Sequence, residues 1–489
     1  MIKKYSLYIL LVLIISISAF LRLYNLNNIY VFNLDEEYQA TYAWTEVLNP
    51  HPIWIGLVAA ALEFYIGPYL IYFSAILLAL SKGDPIINAY FAAFLGVITT
   101  AVIFFVGKKI FNLITGVVAS ALYATLPLFV FFDQKYWNPM FGPLITVLIF
   151  LSLIQVKKSK WWWIVFAALA GFIFETHLPP FPLLLIGLFY FIKEKYWKNV
   201  KLLFLCSLAF LLFYWPLLVF DFNHNFSNLK VLTRVFGDNN QSNISFNPIA
   251  KFRTLFDSMG RFWYLNPGSP NADEVNFGCS SLSLSTGYEV IDKYTHRTYS
   301  PLWLSLMSFS LFLFFVIKNL RSKKYPYQLL ALFLTVSGFF YLIYPGGSYE
   351  YYTLIFLSLL VFIPAILISQ LNKNIKLIAF GLIFIVILLG INTVLKSSDE
   401  FSLGPKKALI AEVMKVVGDE PFSIEGRGIC HNYEGWRYLF KIYGRTPAQS
   451  YTDSSLGWLY PQELSYENPT FTVILAEDRI PLSEDLSNL

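Results

Sequence analysis

The sequence predicts an all-α polytopic membrane protein that ends in a small α/β domain. Of its 489 residues, 56% are hydrophobic and only 14% are charged, whereas about a quarter of the residues in soluble domains are charged. Apolar runs close to the length of a membrane-spanning helix recur along most of the chain. The 47 Phe and 32 Tyr residues fit lipid-facing and interfacial surfaces.

Charge and cysteine content exclude several functional classes. The net charge is +5, and the basic residues are concentrated in short loops, a pattern that indicates membrane topology rather than nucleic acid binding. The three cysteines lie in unrelated contexts, which excludes a disulfide scaffold or a four-ligand zinc site. The sequence also contains no P-loop, GxGxxG or HExxH pattern, so a nucleotide-sugar site or a membrane metalloprotease has no support.

Eleven apolar runs are predicted to cross the membrane, although several are shorter than the usual ~20 residues. The first begins like a signal peptide, but no A-x-A site follows it, so we expect a retained anchor. The runs are residues 6–24, 86–107, 114–132, 139–156, 161–176, 179–192, 202–219, 301–317, 327–344, 351–370 and 376–394.

A twelfth apolar run, 64–81, is placed outside the spans by the distribution of basic residues. If it does not cross, six basic clusters all face the cytoplasm, as the positive-inside rule requires. These clusters are Lys3 with Lys4, Lys108 with Lys109, Lys157–Lys160, Lys193–Lys201, Lys318–Lys324, and Lys373 with Lys376. We therefore expect run 64–81 to be an interfacial or re-entrant helix on the outer face, and the N-terminus to be cytoplasmic.

This topology divides the chain into a transmembrane domain, residues 1–394, and an extracytoplasmic domain, residues 395–489. The first outer loop is 25–85 and the long outer loop is 220–300. In the C-terminal domain, ALIAEVMKVV and EGWRYLFKIY have helical patterns, whereas PFSI and FTVILA have strand patterns. We expect the protein to lie in the plasma (inner) membrane.

The segment NLDEEYQATYAW places Asp35 and Glu36 directly after the first span, on the outer face. A solvated acidic loop is the simple interpretation. The functional interpretation is a catalytic base with a supporting carboxylate, because sugar transfer from a phospholipid carrier needs the acceptor hydroxyl to lose its proton as it attacks. The leaving phosphate then needs cations or donors placed beforehand.

The segment FFDQKYWNPMFGP, residues 131–143, contributes a second set of candidates. Asp133 is placed to orient partners of the first-loop carboxylates, Lys135 to bind the donor phosphate, and Trp137 and Asn138 to contact sugar. The alternative is an interfacial aromatic belt followed by a helix that starts at proline.

The segment FETHLPPFP adds Glu175 and His177 at another turn on the same face. His177 is a candidate donor to the phosphate, because ionisable residues at membrane depth are usually functional. Arg261 and Arg297 in the long loop are weaker phosphate candidates. A divalent metal held by Asp35, Asp133 and His177 stays open as an alternative.

Two further patterns favour structure over function. Residues 349–352, with the sequence YEYY, are interpreted as an aromatic belt rather than a site. Cys279 and Cys430 would share a compartment, but their separation is unknown, so a disulfide between them is an open question.

In order and spacing, residues 1–200 resemble the polytopic GT-C glycosyltransferases of the dolichyl-phosphate-mannose protein mannosyltransferase superfamily. That group includes bacterial aminoarabinose transferases and Rgt-type lipopolysaccharide sugar transferases. The resemblance is carried by LRLYNL, DEEYQA, IGPYLIYFSAILLALSKGDPIINAY, VGKKIFNLITGVVASALYATLPLFVFFDQKYWNPM and GFIFETHLPPFPLLL.

The resemblance implies a polyprenyl-phosphate-sugar donor, inversion at the transferred sugar and an active site on the outer face. It assigns the first-loop acidic residue to Asp35, with Glu36 adjacent, and it matches Asp133 and His177 to polar positions of the family. One departure concerns the Lys-Pro-Pro segment that contributes to phosphate binding in aminoarabinose transferases. The corresponding stretch HPIWIGLVAAALEFYIGP contains no lysine. This absence argues against aminoarabinose as the transferred sugar, and it favours Lys135, Arg261 or Arg297 as the phosphate ligand.

The leading interpretation is therefore an integral membrane glycosyltransferase whose partners are a membrane lipid carrier and an acceptor lipid, glycan or protein. The alternatives are a transporter or flippase of lipid-linked sugars and a non-catalytic scaffold on the same fold. A transporter usually shows repeated halves and ionisable residues near mid-membrane. Neither is evident in this sequence.

Overall fold

A computed structural model describes residues 2–59, 64–231, 247–265, 300–344, 348–399, 401–427, 435–465 and 468–476 of the chain. Most of these residues are helical. Arg297, Cys279 and Cys430 lie outside the described residues, so the roles expected for them are not tested.

The membrane part consists of apolar helices in two groups. The first group is Ile2–Leu23, Ile86–Ile110, Leu113–Thr125, Pro127–Asp133, Gly142–Gln155, Trp162–Thr176, Phe181–Lys193 and Val200–Asn223. The second group is Leu302–Asn319, Tyr325–Ile343, Leu354–Leu360, Phe362–Gln370 and Lys373–Lys396. Leu113–Thr125 and Pro127–Asp133 meet at a bend of 65°, because a proline cannot donate the hydrogen bond that would continue the first helix.

The eleven predicted spans all coincide with helices, but fewer are long enough to cross by length and composition. Within the described residues, seven helices meet that criterion, or eight if the bent pair is one span. Three predicted spans correspond to shorter apolar helices: Tyr8–Leu23, Trp162–Thr176 and Phe181–Lys193. For these three, crossing is indicated by the charge pattern and not by length.

The first loop contains a helix, Leu34–Leu48, then a short antiparallel pair of strands, β1 (Val58–Ala59) and β2 (Phe64–Tyr65), then the helix Tyr69–Ser81. We call Leu34–Leu48 the first-loop helix. The run 64–81 thus contains a helix of 13 residues, or about 20 Å, against the ~30 Å of a hydrocarbon core. Phe181–Lys193 has the same length, so length does not separate the two helices, and the place of run 64–81 outside the spans stays a prediction from the charge pattern.

The C-terminal part has the predicted mixture of helices and strands. The helices are Leu403–Val417, Trp436–Tyr443 and Asp453–Leu456, and the strands are β3 (Phe422–Arg427), β4 (Gln449–Ser450) and β5 (Phe471–Ala476). The strands form a parallel sheet in the order β4–β3–β5. The predicted helices at ALIAEVMKVV and EGWRYLFKIY and the strands at PFSI and FTVILA are confirmed.

The C-terminal part packs directly on the first loop through Trp436–Tyr443, which we call the docking helix. Glu37 accepts hydrogen bonds from the backbone N–H groups of Gly435 (3.1 Å) and Tyr438 (3.0 Å). These N–H groups lie at the start of the docking helix, where donors have no partner within the helix and the helix dipole favours negative charge. Lys406 adds a 2.7 Å bond from Nζ to the carbonyl oxygen of Phe32.

Glu37→Ala is expected to loosen this contact, because two buried N–H groups lose a charged acceptor. A hydrogen bond to a charged group contributes about 1.5–3 kcal/mol, so backbone hydrogen exchange in the docking helix should accelerate by about tenfold or more. Hydrogen-exchange mass spectrometry of the detergent-solubilised protein measures this. Glu412→Ala, which removes an exposed carboxylate from Leu403–Val417, is the control and should change nothing. Equal exchange in the two variants would contradict the docking role of Glu37.

Candidate active site

The first-loop helix directs successive acidic side chains to different surroundings. Asn33 and Glu36 form a capping box at its start, which fixes where the helix begins. Since successive residues are ~100° apart around a helix, Asp35 is exposed, Glu36 faces the loop after Asp133, and Glu37 faces the docking helix.

Glu36 forms a buried ion pair with Lys135. The Glu36 Oε1 to Lys135 Nζ distance is 3.2 Å, and the two side chains are 1% and 4% exposed. Burial raises the pKa of Glu36, and the charge of Lys135 acts in the opposite direction. Lys135 also lies 5.2 Å from the centre of the Trp137 ring, a cation–π contact. Lys135, predicted to bind phosphate, is engaged by a carboxylate.

Asn138 makes a second contact with the first-loop helix, at Gln39, about one turn after Glu36. Its Oδ1 accepts a 2.7 Å hydrogen bond from Gln39 Nε2. Glu36 and Gln39 are three residues apart and share a helix face, so Lys135 and Asn138 together hold this face. The contacts of Asn138, predicted to bind sugar, therefore position the helix that presents Asp35.

Asp133 lies in a separate buried network with Arg22. Nε and Nη2 of Arg22 donate to Asp133 Oδ2 at 2.9 and 2.7 Å, and the Tyr123 hydroxyl donates to Oδ1 at 3.1 Å. Arg22 also donates to the backbone carbonyl groups of Tyr123 and Ala124. This arrangement ties the end of the first helix to the bent pair, so Asp133 serves as a structural anchor here.

The alternative metal set is not assembled. Among the described residues, no three His, Cys, Asp or Glu side chains are grouped to hold a metal ion. Asp35, Asp133 and His177 are all described, but Asp133 is engaged by Arg22 instead.

His177 lies in a cluster of aromatic rings. Its ring centre is 5.6 Å from that of Tyr351 and 5.1 Å from that of Tyr352, and Tyr351 is 4.7 Å from Trp137. The charge of the exposed Asp35 carboxylate acts on Tyr351, so Asp35 is near enough to influence this cluster. Burial lowers the pKa of His177 to about 3, so the imidazole is neutral near pH 7.

We call the rings of Trp137, His177, Tyr344, Tyr351 and Tyr352 the aromatic cleft. Tyr344 joins it through Tyr352, at 5.3 Å. The segment YEYY was predicted to be an aromatic belt, but two of its tyrosines pack against predicted site residues.

Arg261 is held by Glu350, the acidic residue of that segment. Its Nε donates to Glu350 Oε1 at 3.1 Å, and the Ser258 hydroxyl donates to the same oxygen at 2.8 Å. Both charged side chains are nearly fully buried. The pair fixes the long-loop helix, Pro248–Arg261, against the span that begins at Glu350, so this predicted phosphate ligand faces a carboxylate.

Lys251 is a candidate that sequence reasoning missed. It is 1% exposed, its Nζ has no hydrogen-bond partner among the described residues, and it lies 5.5 Å from the centre of the Tyr344 ring. Burial lowers its pKa to about 8. One sequence signal was available: Lys251 precedes Leu255 and Met259 by one and two helical turns, which puts a cation on the apolar face of an amphipathic helix.

A pocket lies where the long-loop helix meets two spans, and Tyr344, the ring that Lys251 lies against, lines it. Tyr344 and Tyr352 line it together with Pro179, Leu255, Tyr341 and Phe356. The aromatic cleft therefore includes Tyr351, on which the exposed Asp35 carboxylate acts, and Tyr344, against which the buried Lys251 lies. Such a site can deprotonate a hydroxyl at one end and stabilise an anion at the other.

Comparison with known proteins identifies the fold. The family described as dolichyl-phosphate-mannose-protein mannosyltransferase matches residues 66–220, less than half of the chain. The crystal structure of ArnT from Cupriavidus metallidurans bound to undecaprenyl phosphate is similar with a TM-score of 0.59 and 11% identity, over 93% of this chain and 88% of that chain. This chain has the GT-C fold, and the family match is confined to residues 66–220.

A second solved GT-C structure is also similar to this chain. The archaeal oligosaccharyltransferase AglB from Archaeoglobus fulgidus, in complex with an inhibitory peptide and a dolichol-phosphate, has a TM-score of 0.51 at 11% identity, over 95% of this chain and 69% of that chain. None of the curated proteins compared with this sequence matches it. At such identities the likeness concerns the fold, and the predicted GT-C architecture is confirmed.

Arg22→Met is expected to destabilise the GT-C part, because it leaves the Asp133 carboxylate buried without its cation. Breaking a buried pair from one side costs about 3–5 kcal/mol, so the thermal unfolding midpoint in detergent should fall clearly. The double variant Arg22→Met with Asp133→Leu removes both charges and should recover most of the loss. An unchanged midpoint in Arg22→Met would show that the pair is not an anchor.

Proposed function

We propose that this GT-C chain is an integral membrane glycosyltransferase that moves a hexose or pentose from a polyprenyl-phosphate carrier to an extracytoplasmic acceptor, with inversion. The observations that carry the proposal are the exposed Asp35 carboxylate, whose charge acts on Tyr351 of the aromatic cleft, and the buried Lys251, which lies against Tyr344 of the same cleft. The N-terminus is cytoplasmic in this proposal, and the site lies at the outer face of the plasma membrane.

Asp35 is the general base in this proposal. It is exposed, so an acceptor hydroxyl can reach it. As the hydroxyl oxygen forms its bond to the anomeric carbon, its proton passes to Asp35, and the bond from that carbon to the phosphate oxygen breaks. The electron pair of that bond stays with the phosphate. Attack opposite the leaving phosphate inverts the anomeric carbon.

Glu36 supports the base by position rather than by proton transfer. Its carboxylate is buried, paired with Lys135 and bonded to the N–H of Asn33 at 3.3 Å. A group held in this way exchanges protons with a substrate poorly, but it keeps the neighbouring Asp35 in place. Because catalysis depends strongly on position, Glu36 and Lys135 are positioning residues.

The donor phosphate binds at the Lys251 end of the cleft in this proposal. A buried ammonium without a hydrogen-bond partner gains most from an anion that supplies several acceptor oxygens. His177 packs against Tyr351 and Tyr352 of the same cleft, and it is a second candidate to donate a hydrogen bond to the phosphate. The ArnT crystal structure contains bound undecaprenyl phosphate, and the AglB structure is a complex that includes a dolichol-phosphate, which supports a polyprenyl phosphate as the lipid carrier.

A lipid-sugar transporter is the competing function. A transport path would need ionisable groups along the membrane depth, whereas the residues discussed here converge around one loop-side cleft. A non-catalytic scaffold would have no need of an exposed carboxylate opposite a buried cation. Neither alternative is favoured by a specific contact.

Asp35→Asn is expected to abolish transfer, because an amide cannot accept the proton. General-base catalysis contributes about 10²–10⁴-fold, so product should fall by at least about 100-fold. Mass spectrometry of envelope glycans from cells that carry only the variant measures this. Glu412→Gln is the matched carboxylate control and should retain activity. Full transfer by Asp35→Asn would exclude it as the base.

Lys251→Met is expected to weaken binding of undecaprenyl phosphate by roughly tenfold or more, since a charge-assisted contact is lost. Lys251→Arg should retain most of the affinity. Binding to the detergent-solubilised protein is measured by thermophoresis. Lys396→Met, at an exposed position at the end of Lys373–Lys396, is the control. Equal affinities for wild type and Lys251→Met would place the phosphate elsewhere.

A further inference from the structure

A second group of rings lies where the first-loop helix meets the C-terminal part. Tyr38, Tyr42 and Trp458 form a triangle, with ring centres 6.1 Å apart for Tyr38 and Tyr42, 6.4 Å for Tyr38 and Trp458, and 5.8 Å for Tyr42 and Trp458. We call this triangle the aromatic platform. The aromatic cleft does not include these residues, and the chemistry proposed above does not use them.

The platform combines the first-loop helix with the C-terminal part. Tyr38 and Tyr42 pack against the buried side chains of Leu456, Leu459 and Tyr460. Thr45, on the same helix, donates a 3.2 Å hydrogen bond to the carbonyl oxygen of Leu459. These contacts hold the rings in place before any ligand arrives.

Trp458 presents much of its indole to the exterior. The side chain is 60% exposed, although Tyr42 packs against it nearly perpendicularly, at 77°. An exposed tryptophan that is fixed by its neighbours loses little conformational freedom on binding a ligand. Large, rigid aromatic side chains of this kind are favoured binding surfaces.

Asp35 and the platform share one face of the first-loop helix. Tyr38 and Tyr42 follow Asp35 by three and seven residues, the spacing that repeats on one helical face. A ligand that rests on the platform can therefore extend toward the proposed base. The donor cleft approaches Asp35 from the side of Tyr351.

We propose that the aromatic platform binds a sugar ring of the acceptor, so that the acceptor is a glycan or a glycan-bearing molecule. This inference rests on the proposed function and names its acceptor class. The C–H groups on one face of a pyranose are weakly positive and apolar, so they pack on the negative face of an aromatic ring. The hydroxyl groups at the edge of the sugar stay free, and one of them can reach Asp35.

The surroundings of the platform favour a sugar over the membrane interior. Arg437 lies 3.9 Å from the centre of the Tyr460 ring, and it forms ion pairs with Asp453 and Glu463. Lys441 also pairs with Glu463. Burying four ionised side chains in the hydrocarbon of a membrane would be costly. The same side chains are favourable at a solvated surface that binds a polar ligand.

The test is saturation-transfer NMR of the full-length protein in detergent with a panel of sugars. The panel contains methyl glycosides and trisaccharides of glucose, mannose, galactose and N-acetylglucosamine. At least one sugar should bind the wild type, and Trp458→Ala should weaken that binding by roughly fivefold or more. Tyr42→Ala should weaken it in the same direction, and Trp458→Phe should retain part of it.

Two controls separate this inference from the proposed function. Trp303→Ala removes another exposed tryptophan, 65% exposed on Leu302–Asn319, and should leave sugar binding unchanged. Asp35→Asn should still bind the sugar, because the platform is intact. If Asp35→Asn loses sugar transfer but still binds the sugar, both proposals are supported. If Asp35→Asn retains full transfer while sugar binding still depends on Trp458, only the role of Asp35 as the base is overturned.

Three outcomes would overturn the platform. One is that no sugar in the panel binds the wild type, and another is that Trp458→Ala binds as well as the wild type. The third concerns lipid. If brominated phosphatidylcholine in proteoliposomes quenches more fluorescence in the wild type than in Trp458→Phe, Trp458 lies in the bilayer and is a membrane anchor.

Discussion

The buried ion pair between Glu36 and Lys135 is the contact on which the geometry of this site depends. A carboxylate that is 1% exposed cannot remain charged at low cost without a cation beside it. Lys135 supplies that cation from the loop after the bent helix pair. The first-loop helix therefore has one favourable position over this loop. Any shift of the helix would separate these two buried charges, and the proposed base would move with the helix.

The same helix is fixed from a second direction by the C-terminal part. Glu37 binds the start of the docking helix, and Thr45 binds the carbonyl oxygen of Leu459. Three consecutive acidic residues therefore differ in role because each points in a different direction: Asp35 to the exterior, Glu36 to the loop and Glu37 to the docking helix. This arrangement explains how a small C-terminal domain contributes to a site that lies mostly in the GT-C part.

The sequence predicted the apolar helices, the strands of the C-terminal sheet and the acidic start of the first loop, because these depend on local periodicity and composition. It did not predict which charges would pair. Asp133 forms an ion pair with Arg22, a residue more than a hundred positions away, and Arg261 forms one with Glu350. Such pairings depend on tertiary packing. One signal was present for Arg22, since a basic residue at the predicted outer end of the first span contradicts the positive-inside pattern and so calls for a buried partner.

Under the proposed function, these pairings favour Lys251 as the cation that binds the donor phosphate. The first-loop stretch HPIWIGLVAAALEFYIGP lacks the lysine expected from the family resemblance. Both Lys135 and Arg261 face carboxylates that partly neutralise them. Lys251 faces a tyrosine ring instead, and its burial cost is uncompensated by any hydrogen bond among the described residues. A bound phosphate would offset the desolvation free energy of this buried ammonium group. Since the Arg261–Glu350 pair fixes the helix that carries Lys251, it determines the position of the cation as the Glu36–Lys135 pair determines that of the base.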